Sequence, residues 1–133
     1  MPQKQASQKI NRDALHQAVT PKSTKQQDFF ERVWEIARQI PFGRVTTYGA
    51  IAEALGAKSS SRMVGYAMNA VDSTHRATDI PAHRVINRNG ELTGKHHFAT
   101  PTLMRELLEA EDVEFIGEAV NLKKHFWQPP IYQ

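Results

Sequence analysis

The strongest constraint on the fold is an apolar stripe that runs straight into two chain-breaking residues. From Gln26 to Ile40 the apolar positions Phe29, Phe30, Val33, Trp34, Ala37 and Ile40 recur every three or four residues, which places them on one side of a helix. Pro41 and Gly43 stop that helix and turn the chain. The stripe must find its cover within 133 residues, about one domain's worth of chain. The segments that follow are short. Thr47 is placed to cap a helix over Tyr48 to Leu55, with Ile51, Ala52 and Leu55 inward and Gly56 supplying the left-handed C-terminal residue. After a corner at Lys58 to Ser60, Ser60 or Ser61 caps a second helix through Ala70, with Val64, Ala67 and Met68 on its buried side. A short helix, a glycine corner and a small-residue second helix is the organisation of a helix-turn-helix, and equally that of a plain helical hairpin.

The remainder predicts little regular structure. Val71 to Ile80 is irregular and polar. Arg84 to Asn87 reads as a strand, and Asn89-Gly90 is a turn signal that returns the chain through Glu91 to Thr93 as a β-hairpin. Gly94 to Thr100 is a loop. Thr100 caps and Pro101 opens a helix to Ala110 with Leu103, Leu107 and Leu108 inward. Val113 to Phe115 and Val120 to Leu122 are short segments, and Trp127 closes the core. The expected fold is mainly α with a short β-hairpin. Residues 1–28 form a polar arm, 29–128 the domain and 129–133 a tail. Up to Gln27 the arm holds six glutamines, five basic residues and no aromatic, so it has little to anchor it. A helix over Asn11 to Val19 is open to it, ended by Pro21.

Charge and cysteine content narrow the chemistry. Residues 1–28 carry five Lys/Arg and two Asp, which accounts for the whole net charge of +3. Positions 44–105 carry eight basic and four acidic residues, positions 106–128 two and six, so the domain is polarised. A basic half suits a polyanion such as nucleic acid, although an imbalance this small also arises by chance. No apolar run approaches the roughly 20 residues that span a bilayer, and no signal peptide is visible, so a cytoplasmic, nucleoid-associated protein is expected. The chain has no cysteine, hence no disulfide, thiolate zinc site or cysteine nucleophile. His96 and His97 with His83 lack acidic or thiolate partners at ligand spacing, so neither a metal nor another cofactor is expected.

Three segments carry a specific signal in their order and spacing. They are IPFGRVTTYGAIAEALG at Ile40 to Gly56, SSRMVGYAM at Ser60 to Met68, and IPAHRVINRNG at Ile80 to Gly90. Together, over Phe29 to about Val113, they resemble the DNA-binding domain of the O6-alkylguanine-DNA alkyltransferases, with its P-x-G-x-V-x-[ST]-Y stretch, R-x-V-G helix and P-C-H-R-V loop. The resemblance implies the winged helix-turn-helix-like C-terminal domain fold of that family. At the loop position where the family has its alkyl-accepting cysteine, this chain has Ala82. Alkyl transfer needs a polarisable thiolate to attack carbon, and a methyl side chain has no lone pair. His83 and Glu111 match the residues that activate the thiol. Here they are vestigial, and a structural role for His83 is the preferred reading.

A cysteine-less chain that keeps the DNA-contacting residues is similar to the alkyltransferase-like proteins, many of which have tryptophan where this chain has alanine. The resemblance implies a monomer that binds double-stranded DNA containing O6-alkylguanine in the minor groove and flips the lesion into a pocket. It then flags the lesion for nucleotide excision repair proteins without removing the alkyl group. It also assigns roles. Arg62 is the finger that replaces the extruded base, and Tyr48 crowds the 3′ phosphate. Thr47, Ser60 and Ser61 offer hydroxyls and N–H groups to phosphates or act as simple caps. Asn69, on the outer face with Arg62, touches the backbone. Arg84 either contacts DNA or makes a structural ion pair, the latter preferred. Tyr48, Met68, Pro81, Ala82, Val85 and the loop Leu92 to His97, with Lys95 and His96 at the lesion oxygen, line the pocket. The smaller Ala82 is expected to admit adducts bulkier than methyl.

Three rivals remain open. An engineered Cys-to-Ala transferase is one, although GELTGKHHF lacks the Tyr-Ser-Gly-Gly-like stretch of active enzymes. A sequence-specific helix-turn-helix transcription regulator is the second. The third is an adaptor that docks a protein through the acidic stretch Arg105 to Glu118.

Overall fold

In the computed structural model, which describes residues 24–71 and 79–131, Thr24 opens the first helix, α1 (Lys25–Arg38), with a reciprocal cap. Its hydroxyl accepts from Gln27 N at 2.9 Å while the Gln27 amide oxygen accepts from Thr24 N at 2.9 Å. Two N–H groups that the helix itself cannot satisfy are thereby bonded. The last residues of the segment assigned to the arm are thus the cap and first turn of α1. The rest of that arm, with the helix expected over Asn11 to Val19, lies outside the described residues, as do 72–78 of the irregular stretch and the end of the tail. Among the described residues no helix is long and apolar enough to cross a membrane.

The two short helices form as expected. Thr47 Oγ1 accepts from Ala50 N at 3.0 Å at the head of α2 (Tyr48–Ala54), and Gly56 follows with φ +72°. In α3 (Ser61–Asn69) Val64, Ala67 and Met68 are buried; Ser60 occupies the cap position without a side-chain bond. The Trp34 indole N–H donates to the Ala67 carbonyl at 2.8 Å, fastening α3 to α1. Burial of that N–H without a partner would cost roughly 1–3 kcal/mol, so the bond also sets the seating of α3.

The strand at Arg84 is shorter than expected and has a different partner. After a 3-10 turn at Ala82–Arg84, β2 (Val85–Ile86) pairs in parallel with β1 (Thr46–Thr47), Thr46 opposite Val85 and Thr47 opposite Ile86. The Asn89-Gly90 turn does form: Asn87 Oδ1 accepts from Asn89 N at 2.9 Å and Glu91 N at 2.8 Å, and Gly90 has φ +82°. No hairpin follows, because the Gly90 carbonyl is taken by Val120 N at 2.9 Å and the chain then coils into a 3-10 turn at Thr93–His97. The hairpin lies further on, where β3 (Phe115–Ile116) and β4 (Ala119–Val120) pair antiparallel around Gly117.

The helix after Pro101 is also displaced. α4 (Leu103–Ala110) starts behind Thr102, not Thr100, and buries Met104 and Leu108 while Leu103 and Leu107 are half-buried. The chain closes through α5 (Leu122–His125) and a strand-like contact in which Trp127 N donates to the Val45 carbonyl at 2.7 Å. Pro129, assigned to the tail, is buried.

Two apolar clusters result. One gathers Val33, Ile36, Ile51, Val64 and Met68 beneath α1, α2 and α3, and the other gathers Val45, Met104, Leu108 and Val120 beneath α4 and the hairpin. Val85 belongs to the first and Ile86 to the second, as adjacent strand residues on opposite faces must. Gly90 fixes the approach of the hairpin. A Cβ there would lie 2.6 Å from the Val120 carbonyl oxygen, on a backbone already in the left-handed region. Gly90→Ala is therefore expected to destabilise the fold by about 2–3 kcal/mol. Urea unfolding measures it, and a loss below about 0.5 kcal/mol, the size of an ordinary surface substitution, would contradict the contact.

Candidate nucleic-acid interface

Helix α3 presents Arg62 in its first turn and Asn69 near its end, both exposed, as their spacing of seven residues requires. Between them Gly65 and Tyr66 complete one wall of an open groove of about 390 Å³, together with Ser61. The opposite wall is Tyr48 with Thr93, Gly94 and His97. Tyr66, 49% exposed, went unnoticed in the sequence, although it stands four residues after Arg62 and so on the same face.

Behind the groove lies an inner cavity of about 20 Å³, room for about one water. Tyr48, Met68, Ala82 and Val85, expected in the pocket, all line it. Pro81, Leu92, Lys95 and His96 do not. Leu92 instead packs against the second cluster, and Lys95 and His96 are exposed. The reason is the 3-10 geometry of Thr93–His97, in which residues three apart lie on one side. Gly94 and His97 therefore face the cavity, with Val71, Phe98 and Met104 completing it. A Cβ on Gly94 would lie 3.2 Å from the Tyr48 hydroxyl, the close approach that this glycine permits. Tyr48, Asn69, Gly94 and His97 line both spaces and form the doorway between them. Burial pushes the Tyr48 phenol above its ordinary value, against an opposing hydrogen bond with Thr93.

The loop that carries Ala82 is held by one carboxylate. Glu111, only 8% exposed, lies with Oε2 2.7 Å from His83 Nε2. It accepts from Arg84 Nε at 3.0 Å and Nη2 at 2.8 Å, and from Gly43 N at 2.8 Å. Burial opposes its ionisation, but the bonds from Arg84, His83 and Gly43 outweigh that and hold its carboxyl down at about 2. Arg84 also donates through Nη1 to the Ile40 carbonyl at 2.8 Å, and its side chain is 17% exposed. Arg84 thus forms the expected ion pair with Glu111. Thr47 is a buried cap, its hydroxyl oxygen accepting from Ala50 N. Ser61 and Arg62 remain on the open face.

A family model described as the DNA-binding domain of 6-O-methylguanine DNA methyltransferase matches residues 28–113, which contain all three motifs and Glu111. This chain belongs to that family. Within it, the chain is 36% identical over 107 residues to alkyltransferase-like protein 1 of Schizosaccharomyces pombe, covering 77% of this chain and 96% of the relative. It is 36% identical over 128 residues to a DNA base-flipping protein of Escherichia coli, covering 85% and 92%. Among solved structures, S. pombe Atl1 in complex with damaged DNA containing O6-carboxymethylguanine aligns with a TM-score of 0.65 at 33% identity, over 80% of this chain and 100% of that one. A DNA complex of Mycobacterium tuberculosis OGT aligns with a TM-score of 0.53 at 39% identity, over 68% of this chain and 51% of that one. The family's mainly helical fold with a small sheet is the fold described above.

Proposed function

We propose that this protein binds duplex DNA carrying O6-alkylguanine, turns the modified nucleotide out of the helix toward the groove and its inner cavity, and leaves the alkyl group in place. The observation that carries the reading is a contrast within one site. Arg62 stands free on the open face of α3, whereas the cavity wall offers the methyl group of Ala82 in a chain without cysteine. A relative whose structure holds damaged DNA and another named for base flipping support the same reading. The inner cavity is far smaller than the roughly 300 Å³ of a usual ligand pocket. Capture of a base therefore requires Thr93–His97 to move away from Tyr48. On this reading the complex acts as a monomer in the cytoplasm and marks the lesion for nucleotide excision repair. The cavity behind Ala82 accepts adducts longer than methyl, which a series of alkyl sizes in a binding assay would rank.

The deciding experiment pairs a duplex containing O6-methylguanine with its unmodified twin in a gel shift, followed by mass spectrometry of protein and DNA. Tighter binding of the lesion with the methyl still on guanine is expected. Equal affinity, or a methylated protein, would overturn the proposal.

Gly65 gives a second test. Among the described residues, no atom outside its chain neighbours and its own helix backbone lies within 4 Å of a Cβ built there, so packing does not require glycine, yet glycine inside a helix costs about 0.5–1 kcal/mol relative to alanine. Bare backbone at this point suits close approach by a DNA strand. Gly65→Ala should raise the stability of the free protein by about that amount and weaken DNA binding several-fold. Unchanged affinity in the stabilised variant would remove the argument.

A further inference from the structure

Tyr66 is the large side chain on the open face of α3 that the proposed function does not use. It is 49% exposed, whereas burial would remove such a ring from water at a gain of some kcal/mol. Among the described residues nothing covers that exposed half. Its immediate neighbours are Gly65 and Ala67, the first without a side chain and the second wholly buried. It lines the groove together with Arg62, one helical turn earlier, and Asn69, three residues later. A side chain on a helix covers the turn before its own Cα, which directs the Tyr66 ring toward the surface beside Arg62.

We infer that Tyr66 is a second DNA-binding residue that stacks its ring on a base next to the one Arg62 displaces. The inference rests on the proposed base extrusion and adds the source of part of its driving energy. Extruding one nucleotide breaks the stack on both sides, and Arg62 fills only the vacated place. A guanidinium is smaller than the purine it replaces, so part of the adjacent base's face stays uncovered. An exposed aromatic ring about 6 Å further along the helix, the rise of four residues, is the group available to cover it. Aromatic stacking of this kind tolerates any base sequence, as a reader of lesions in arbitrary contexts needs. Arg62 supplies charge and Tyr66 supplies apolar area. The bare backbone at Gly65 lets the strand come close enough for both to reach.

The test compares wild type, Tyr66→Ala, Tyr66→Phe and Arg62→Ala on a duplex containing O6-methylguanine, with 2-aminopurine beside the lesion as a fluorescent report of stacking. Tyr66→Ala should bind the lesion duplex about 5- to 50-fold more weakly and lose the fluorescence change on binding. Tyr66→Phe should keep both within about twofold, since the ring and not the hydroxyl makes the contact. Thermal melting of Tyr66→Ala should match wild type, because the side chain is exposed. If Arg62→Ala loses affinity while Tyr66→Ala binds as wild type does, the inference fails and base extrusion stands. If neither substitution matters, both fail.

Discussion

Arg62→Ala should lower affinity for a duplex containing O6-methylguanine about 10- to 100-fold, a change of roughly 1.4–2.8 kcal/mol, without altering the melting temperature. The side chain is exposed at the head of α3 and lines the groove from the side opposite Tyr48. Its removal leaves no cavity. The loss should also be unequal between substrates. An arginine that only neutralises phosphate contributes to damaged and undamaged DNA alike and steepens the salt dependence by about one ion. One that fills the space of an extruded base contributes mainly where extrusion occurs. A larger penalty on the lesion than on its twin is therefore the expected signature, and Arg62→Lys should recover the salt slope but not the lesion preference. Equal penalties on the two duplexes would reduce Arg62 to a phosphate contact.

Glu111→Ala should cost about 3–5 kcal/mol of stability, the range for breaking a buried ion pair on one side. The substitution strands the largely buried Arg84 guanidinium and leaves the Gly43 N–H without its acceptor. Three segments lose their common anchor at once: the turn after α1, the loop of Ala82 and the end of α4. The same carboxylate gives the fold a specific acid sensitivity. Its carboxyl is held at about 2 against an ordinary 4.5. A depressed value means that its stabilisation is full above the ordinary range and is lost as pH falls from about 4.5 toward 2, by about 3 kcal/mol. Urea unfolding between about pH 6 and about pH 2.5 should show wild type losing most of this increment and Glu111→Gln losing much less. Parallel curves would mean that Glu111 is not the group responsible.

Much of this architecture was legible because it rests on local rules. The stripe ending at Pro41, the Thr47 cap and Gly56 each carry their own signal within a few residues, and all three stand as expected. The elements that moved depend on distant partners. Ile86 pairs with Thr47 instead of continuing into a hairpin, and Val120 takes the Gly90 carbonyl, neither of which a local window contains. The site divides the same way. Arg62 and Asn69 follow from helical spacing, and Ala82 from its motif. Gly94 and His97 fall within the expected loop Leu92 to His97, but the residues singled out in it were Lys95 and His96, because a loop of unknown geometry has no period to read and a shift of one residue exchanges His96 for His97. Arg84 and Thr47 show a further limit: each is of a type that often contacts DNA, and only the positions of Glu111 and Ala50 reveal the bonds they make within the fold.

The parallel pair β1–β2 is two residues long, yet its neighbouring side chains Val85 and Ile86 enter different apolar clusters. Neither cluster can come apart without pulling on that shared seam, so the α2–α3 pair is not a detachable module. A fragment ending before Ile80 would leave the inner face of α2 and α3 without its closing layer and should fail to hold a native fold. The whole domain should melt in one step, with α2, α3 and the layer beneath them lost together.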